Sequence, residues 1–292
     1  MPTPSKQKKT ITKKTIKKRK YTKKKKELFS LKQKISTMFC LFFLVSAFTY
    51  GYYLGEQSLL EKHKNLTKKN ISIVKKSRKP KLIIIIDDVH TSSQLASIKA
   101  LKLKVTPSIF PPYSLSSNSH KLAINLKHYM IHLPMESKSK QFNKQFKTLM
   151  VSHSNKNIEK RIKELRVLFP NAKYINNHTG SVFTSNYKAM SSAYGYMKKY
   201  KFKFIDSKTS PNSKVKQIAR KYKDKYLYRD IFLDNTQEVS YIKKQLKKAV
   251  KLAQKHGYAI AIGHPYKATI RALSSSKNIL DLVDVVYIDD LF

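Results

Sequence analysis

Eight residues of this chain carry side chains suited to hold a cation or move a proton, and they recur in one kind of place. Asp87, Asp88, His132, Glu136, Asn177, His178, Asp206 and His264 each stand at, or just past, the end of a short apolar run. Carboxylates and imidazoles gathered in space would suit a borderline divalent cation, zinc first among them. Zinc takes imidazole nitrogen at about 2.0–2.1 Å and carboxylate oxygen at about 2.0–2.2 Å, with a position left for water. A water so bound approaches a pKa of about 7 and becomes a nucleophile at neutral pH. A nearby carboxylate could take its proton, and an imidazole opposite could protonate a leaving group. Taken singly, each residue also has a structural reading. Asp87 and Asp88 could cap a following helix. His132 and His178 could be buried histidines with satisfied hydrogen bonds, and Glu136 a solvated acid. Asp206 could close a turn with Ser207 or Thr209. Arg229 could serve in an ion pair. His264, between Gly263 and Pro265, is the hardest to read as scaffold.

The elements that must position these residues alternate. Residues 81–86, 103–110, 128–133, 172–175, 202–205, 226–233, 258–262 and 285–288 read as short strands. Segments with helical spacing at 92–102, 117–127, 155–168, 186–200, 238–256 and 268–273 fall between them. Strand-then-helix order repeated over roughly 210 residues predicts a parallel sheet covered by helices, or a closed (β/α) barrel. In either architecture the C-terminal strand ends share one face, where active sites are built. No glycine-rich phosphate loop opens the first helix, which argues against a nucleotide fold.

The order of the motifs is also informative. IIIIDD (83–88), HLPME (132–136), NNHTGS (176–181), FIDS (204–207), RDIFLD (229–234) and AIGHP (261–265) together resemble the divergent polysaccharide deacetylases, a distant branch of the NodB-type carbohydrate esterases. The resemblance covers residues 81–273. It implies a distorted (β/α) barrel and metal-dependent hydrolysis of acetyl groups on a polysaccharide. By that resemblance Asp87 is the catalytic base and Asp88 a metal ligand. His132 is a second ligand, and His264 is the general acid. Glu136 stands where the related enzymes carry a second metal histidine; His178 is expected to supply the missing nitrogen, with Glu136 itself as the alternative that completes the site. Glu136, Asn177, Asp206 and Arg229 are secondary candidates, Asp206 near the motif that orients the base. The altered ligand set keeps a second function open, a glycan- or protein-binding envelope module without turnover.

The N-terminus indicates an address. Residues 1–35 hold fifteen Lys/Arg and one acid, Glu27. Residues 1–36 are therefore expected to form a basic cytoplasmic tail, disordered by itself. Residues 37–54 follow without a charge, close to the length of about 20 needed to cross a bilayer. They are expected to form one transmembrane signal anchor, with 55–79 as a polar tether and 80–292 as the catalytic-type domain. Dense basic flanks stay in the cytoplasm, which places the domain outside, periplasmic or extracellular. The formal net charge of +44 is spread along the chain, as in 243–251, rather than gathered in one patch. That spread fits lysine bias and an anionic envelope better than nucleic-acid binding, and no nucleic-acid partner is expected. Envelope polysaccharide or peptidoglycan is the expected partner. The single cysteine, Cys40, excludes an intrachain disulfide.

Overall fold

Four consecutive isoleucines, Ile83 to Ile86, are all fully buried, which requires a strand covered on both faces. A computed structural model supplies both covers. It describes residues 6–75, 79–144 and 147–291. The chain divides into two units, 1–78 and 79–292, each considered by itself.

In the first unit one helix, α1 (Lys6–Lys75), runs through the residues expected as tail, anchor and tether. Its segment Lys24–Leu66 contains a stretch long and apolar enough to cross a membrane. Phe39, Phe42, Phe43, Leu44 and Phe48 there are all exposed.

The second unit is an α/β barrel. Its elements run β1 (Lys81–Val89), α2 (Ser92–Ala100), β2 (Thr106–Ile109), a 3-10 turn (Ser119–Ala123), β3 (Met130–Met135), α3 (Lys140–Asn143) and α4 (Asn155–Leu168). Then come β4 (Tyr174–Thr179), α5 (Tyr187–Lys199), β5 (Lys203–Asp206), α6 (Val215–Lys221), β6 (Leu227–Tyr228) and β7 (Ile231–Phe232). The chain ends with α7 (Val239–His256), β8 (Tyr258–Gly263), α8 (Lys267–Ser274), α9 (Lys277–Leu280), β9 (Asp284–Val286) and a last 3-10 turn (Ile288–Leu291).

Every strand pairing is parallel, in the order β6-β5-β4-β3-β2-β1-β8-β7, with β9 beside the start of β1. The two ends of that order, β6 and β7, are separated only by Arg229 and Asp230. Three Cα–Cα steps span at most about 11 Å, so the two edges of the sheet must meet. The link itself joins them. Arg229 N–H donates to the Asp206 carbonyl at 2.9 Å on the β5 side, and Asp230 N–H to the Ile260 carbonyl at 2.8 Å on the β8 side. A distorted barrel is the result.

Strand parity then sorts the side chains, because successive residues face opposite sides. Ile83, Ile85, Met130, Tyr174, Ile205, Ile260 and Ile262 pack together inside the barrel. Leu82, Ile84, Ile86, Ala259 and Ala261 pack outward, in the cluster that holds Ile242, Leu246 and Val250 of α7. Ile131, Leu133, Met135 and Ile175 pack outward against α4 and α5 residues such as Ile162, Leu165, Met190 and Met197. The helices have conventional ends: Thr91 forms a capping box with Gln94, and Gly257 closes α7 at φ +83°.

Candidate metal centre

Extending the parity two residues further builds the site. Beyond Ile83 and Ile85 the next inward residue is Asp87. Beyond Met130 it is His132, beyond Tyr174 come Asn176 and His178, and beyond Ile262 comes His264. His132 and Asn176 are paired in register across β3 and β4, which sets their side chains next to each other. Asp88 falls on the wrong parity. It reaches the cluster because the β1–β2 register shifts between Ile86 and Val89, and Asp88 adopts φ +57°. Such a bulge re-aims a side chain, and aspartate is among the residues that tolerate this backbone region.

The resulting contacts are close. Asp88 Oδ1 lies 3.1 Å from His132 Nε2 and 3.0 Å from His178 Nδ1, and these two nitrogens are 3.1 Å apart. Asn176 determines how His132 is held. Its Nδ2 donates to both oxygens of Asp87, at 2.8 and 3.0 Å. Its Oδ1 accepts from Ser108 Oγ at 2.8 Å and faces His132 Nδ1 at 2.8 Å. His132 therefore carries a proton on Nδ1 and turns the lone pair of Nε2 toward Asp88 and His178. A carboxylate oxygen and two imidazole nitrogens converging in this way need a cation between them. Four ligands at about 2.0–2.1 Å around tetrahedral zinc would lie about 3.3 Å apart, near the separations found here. The donor set fits a divalent metal. Without one, a proton serves. Burial opposes charge on His132, but the Asp87 and Asp88 carboxylates outweigh it and push the imidazole up to about 9. Burial likewise works against ionised Asp88, yet hydrogen bonds from His132 and His178 hold its carboxyl well below the usual range.

A pH dependence follows. A metal held here would coordinate the deprotonated Nε2, so its binding below pH 9 would expel a proton from His132. Zinc affinity is expected to rise by up to about tenfold per pH unit from 7 to 9 and to level off above, in a chelator-competition titration.

His264 closes one edge of the cluster. Its Nε2 is 3.8 Å from Asp88 Oδ2, and its Nδ1 lies 3.0 Å from Asp234 Oδ1. Asp234 Oδ2 also accepts the His264 backbone N–H at 2.6 Å and Thr269 Oγ1 at 2.7 Å. Burial lowers the basicity of His264, but its bond to Asp234 and the Asp88 charge outweigh that and raise it. Phe110 meets His178 edge-on at 5.0 Å, Phe232 stacks on His264 at 5.3 Å, and Tyr266 lies 5.3 Å from the same ring. Aromatic rings thus flank the cluster on the His178 and His264 sides.

The structure therefore gathers Asp87, Asp88, His132, His178 and His264, and leaves the secondary candidates outside. Glu136 lies past the end of β3 and accepts the Val151 N–H at 2.6 Å, a bond that holds the following loop. Asn177 has outward parity; it accepts the Ser207 N–H at 2.9 Å and donates to the Thr179 carbonyl. Asp206 is also outward, taking Lys208 N–H, Ser213 Oγ and Tyr226 Oη at 2.8, 2.7 and 2.9 Å. Arg229 donates to the Ser207 and Lys208 carbonyls at 2.7 and 2.9 Å and lies over the Phe232 ring. Two residues escaped the sequence reading. Asn176 was legible from parity, since it shares a face with His178 and Asn177 does not. Asp234 ends the RDIFLD motif, but nothing local marks its partner, because His264 is thirty residues away.

The turn after His178 is strained by design. Thr179, β-branched, sits at φ +52°, and Gly180 follows at φ +88°. A Cβ on Gly180 would stand 2.9 Å from Met135 Cβ. Gly180→Ala is expected to cost about 2 kcal/mol in a denaturant melt, from the backbone conformation and the clash together.

A distorted parallel (β/α) barrel whose C-terminal strand ends carry a His–His–Asp cluster able to hold a metal ion defines the class of protein. Within it, residues 84–292 match the model of the divergent polysaccharide deacetylases. The chain belongs to the divergent polysaccharide deacetylase family. It is 35% identical over 198 residues to the Escherichia coli K12 protein YibQ, a match covering 66% of this chain and 61% of that relative. A Haemophilus influenzae Rd relative is 30% identical over 216 residues, covering 73% of this chain and 76% of its own. Among solved structures, an uncharacterized protein from Agrobacterium tumefaciens C58 shares the fold, with a TM-score of 0.58 at 22% identity, over 68% of this chain and 82% of that one.

Proposed function

We propose that this protein is a metal-dependent deacetylase that removes acetyl groups from an envelope glycan, with peptidoglycan or a related polysaccharide as substrate. The carrying observation is the convergence of Asp88 Oδ1, His132 Nε2 and His178 Nδ1 within 3.1 Å of one another, beside a histidine backed by a carboxylate. Asp88, His132 and His178 would hold the metal, zinc first. When bound, such an ion polarises an acyl carbonyl and lowers the pKa of a water. His264, its Nδ1 proton held by Asp234, presents Nε2 to the leaving group. The half-buried rings of Phe232 and Tyr266 beside His264 would offer apolar surface to a sugar ring.

The address supports the same reading. The apolar stretch within α1 would anchor the protein in the cytoplasmic membrane as a single pass. The basic residues before it would stay inside and the barrel would lie outside, periplasmic or extracellular, where acetylated glycans are found.

The test is acetate release by the full-length protein, purified in detergent and loaded with zinc, from N-acetylglucosamine oligomers and from peptidoglycan. Acetate that appears with zinc and stops with a chelator is the expected result. Glycan binding with no release under any metal would favour the non-catalytic module and end the enzymatic reading.

A further inference from the structure

Asp87 stands at the sequence position where related enzymes carry their base, but its surroundings suit another task. It is 2% exposed. Both its oxygens accept from Asn176 Nδ2, and Oδ1 lies 3.4 Å from His132 Nδ1. It thus sits on the Nδ1 side of the His132 ring, and the converging metal-donor atoms sit on the Nε2 side. A general base must come within about 2.6–3.2 Å of the proton it takes, or reach it through one water. A carboxylate behind a metal-binding imidazole does something else: it fixes the ring's tautomer and orientation and raises its basicity. The other acids near the mouth are engaged elsewhere, Glu136 with Val151 N–H and Asp206 with Lys208, Ser213 and Tyr226. His90 turns its Nδ1 onto the Asp88 carbonyl at 2.8 Å. His264 differs from all of these: its Nδ1 is fixed by Asp234 while its Nε2 faces the cluster.

We propose that Asp87 is a positioning residue, which with Asn176 holds His132 for the metal, and that His264 carries both proton transfers. The inference rests on the deacetylase reading for its second half. In amide hydrolysis His264 Nε2 takes one proton from water as the new C–O bond forms. It returns that proton to the nitrogen as the C–N bond breaks. The second water proton stays with the acyl product, acetic acid, which ionises to acetate at neutral pH. Water and amide give acetate and amine, and His264 ends as it began.

The test compares wild type with Asp87→Asn and Asp87→Ala in the full-length protein. The alanine variant avoids setting one amide donor against another at Asn176. Folding is checked by circular dichroism, zinc affinity by competition with a chromophoric chelator, and acetate release at saturating zinc. The expected result is an affinity loss of about 10–100-fold, the size found when a metal ligand loses its supporting hydrogen bond. Acetate release falls less than tenfold once zinc saturates. An unchanged zinc affinity overturns the positioning role. A loss of about 100-fold or more in acetate release at saturating zinc, in a folded variant, restores Asp87 as the base. Should the wild type release no acetate, the deacetylase reading fails separately, and the zinc affinities still decide the place of Asp87.

Discussion

Asp88→Asn is expected to lower zinc affinity by more than about 100-fold and to leave the barrel folded. The magnitude follows from the position of the carboxylate, which contacts both imidazoles directly; losing it should exceed the 10–100-fold that supporting groups are worth. The fold should survive because asparagine tolerates the left-handed backbone that Asp88 adopts at φ +57°. The neutral amide keeps a carbonyl oxygen but loses the charge that would draw a cation between His132 and His178. A variant that binds zinc as tightly as the wild type would mean that the three donor atoms meet for another reason, and the metal centre would have to be abandoned. Chelator competition gives the affinity, and a thermal melt without metal shows whether the fold is kept.

The second large effect is on turnover. His264→Ala is expected to reduce acetate release by about 10²–10⁴-fold at saturating zinc, the usual worth of a positioned acid–base group. Zinc affinity should change little, since His264 Nε2 stands 3.8 Å from Asp88 and lies outside the three-residue cluster. The split between the two readouts is the informative part. Loss of zinc along with activity would make His264 a fourth ligand. Retained activity would remove it from the chemistry and leave the Asp234–His264 pair as scaffold.

Neither variant could have been interpreted from residue types alone, and the reason lies in strand parity. Asn176 and Asn177 are identical and adjacent. One faces inward to clamp Asp87 and His132, and the other faces outward to hold the Ser207 loop. Glu136 falls at a motif position where related enzymes place a ligand, yet β3 ends at Met135 and its carboxylate turns to Val151. Asp206 ends a strand as Asp87 nearly does, but with opposite parity, because Ile205 is the inward residue of β5. Helices α3, α6 and α9 were not anticipated; they have four to seven residues each, too short for a periodic pattern to emerge.

By itself the sequence determined the alternation of buried strands and amphipathic helices, and with it a parallel α/β architecture with polar residues at its C-terminal strand ends. It also carried the family, through six short motifs in order, and one apolar segment long enough for a bilayer. These are legible because periodicity, composition and motif order are local properties of the chain. Tertiary structure alone decided the rest. The register shift in β1 turns Asp88 inward, the two-residue link from β6 to β7 closes the sheet, and Asp234 meets His264 across two neighbouring strands' ends. Each depends on hydrogen-bond register between distant segments, and register is set by how whole strands pack, not by any residue's own preference.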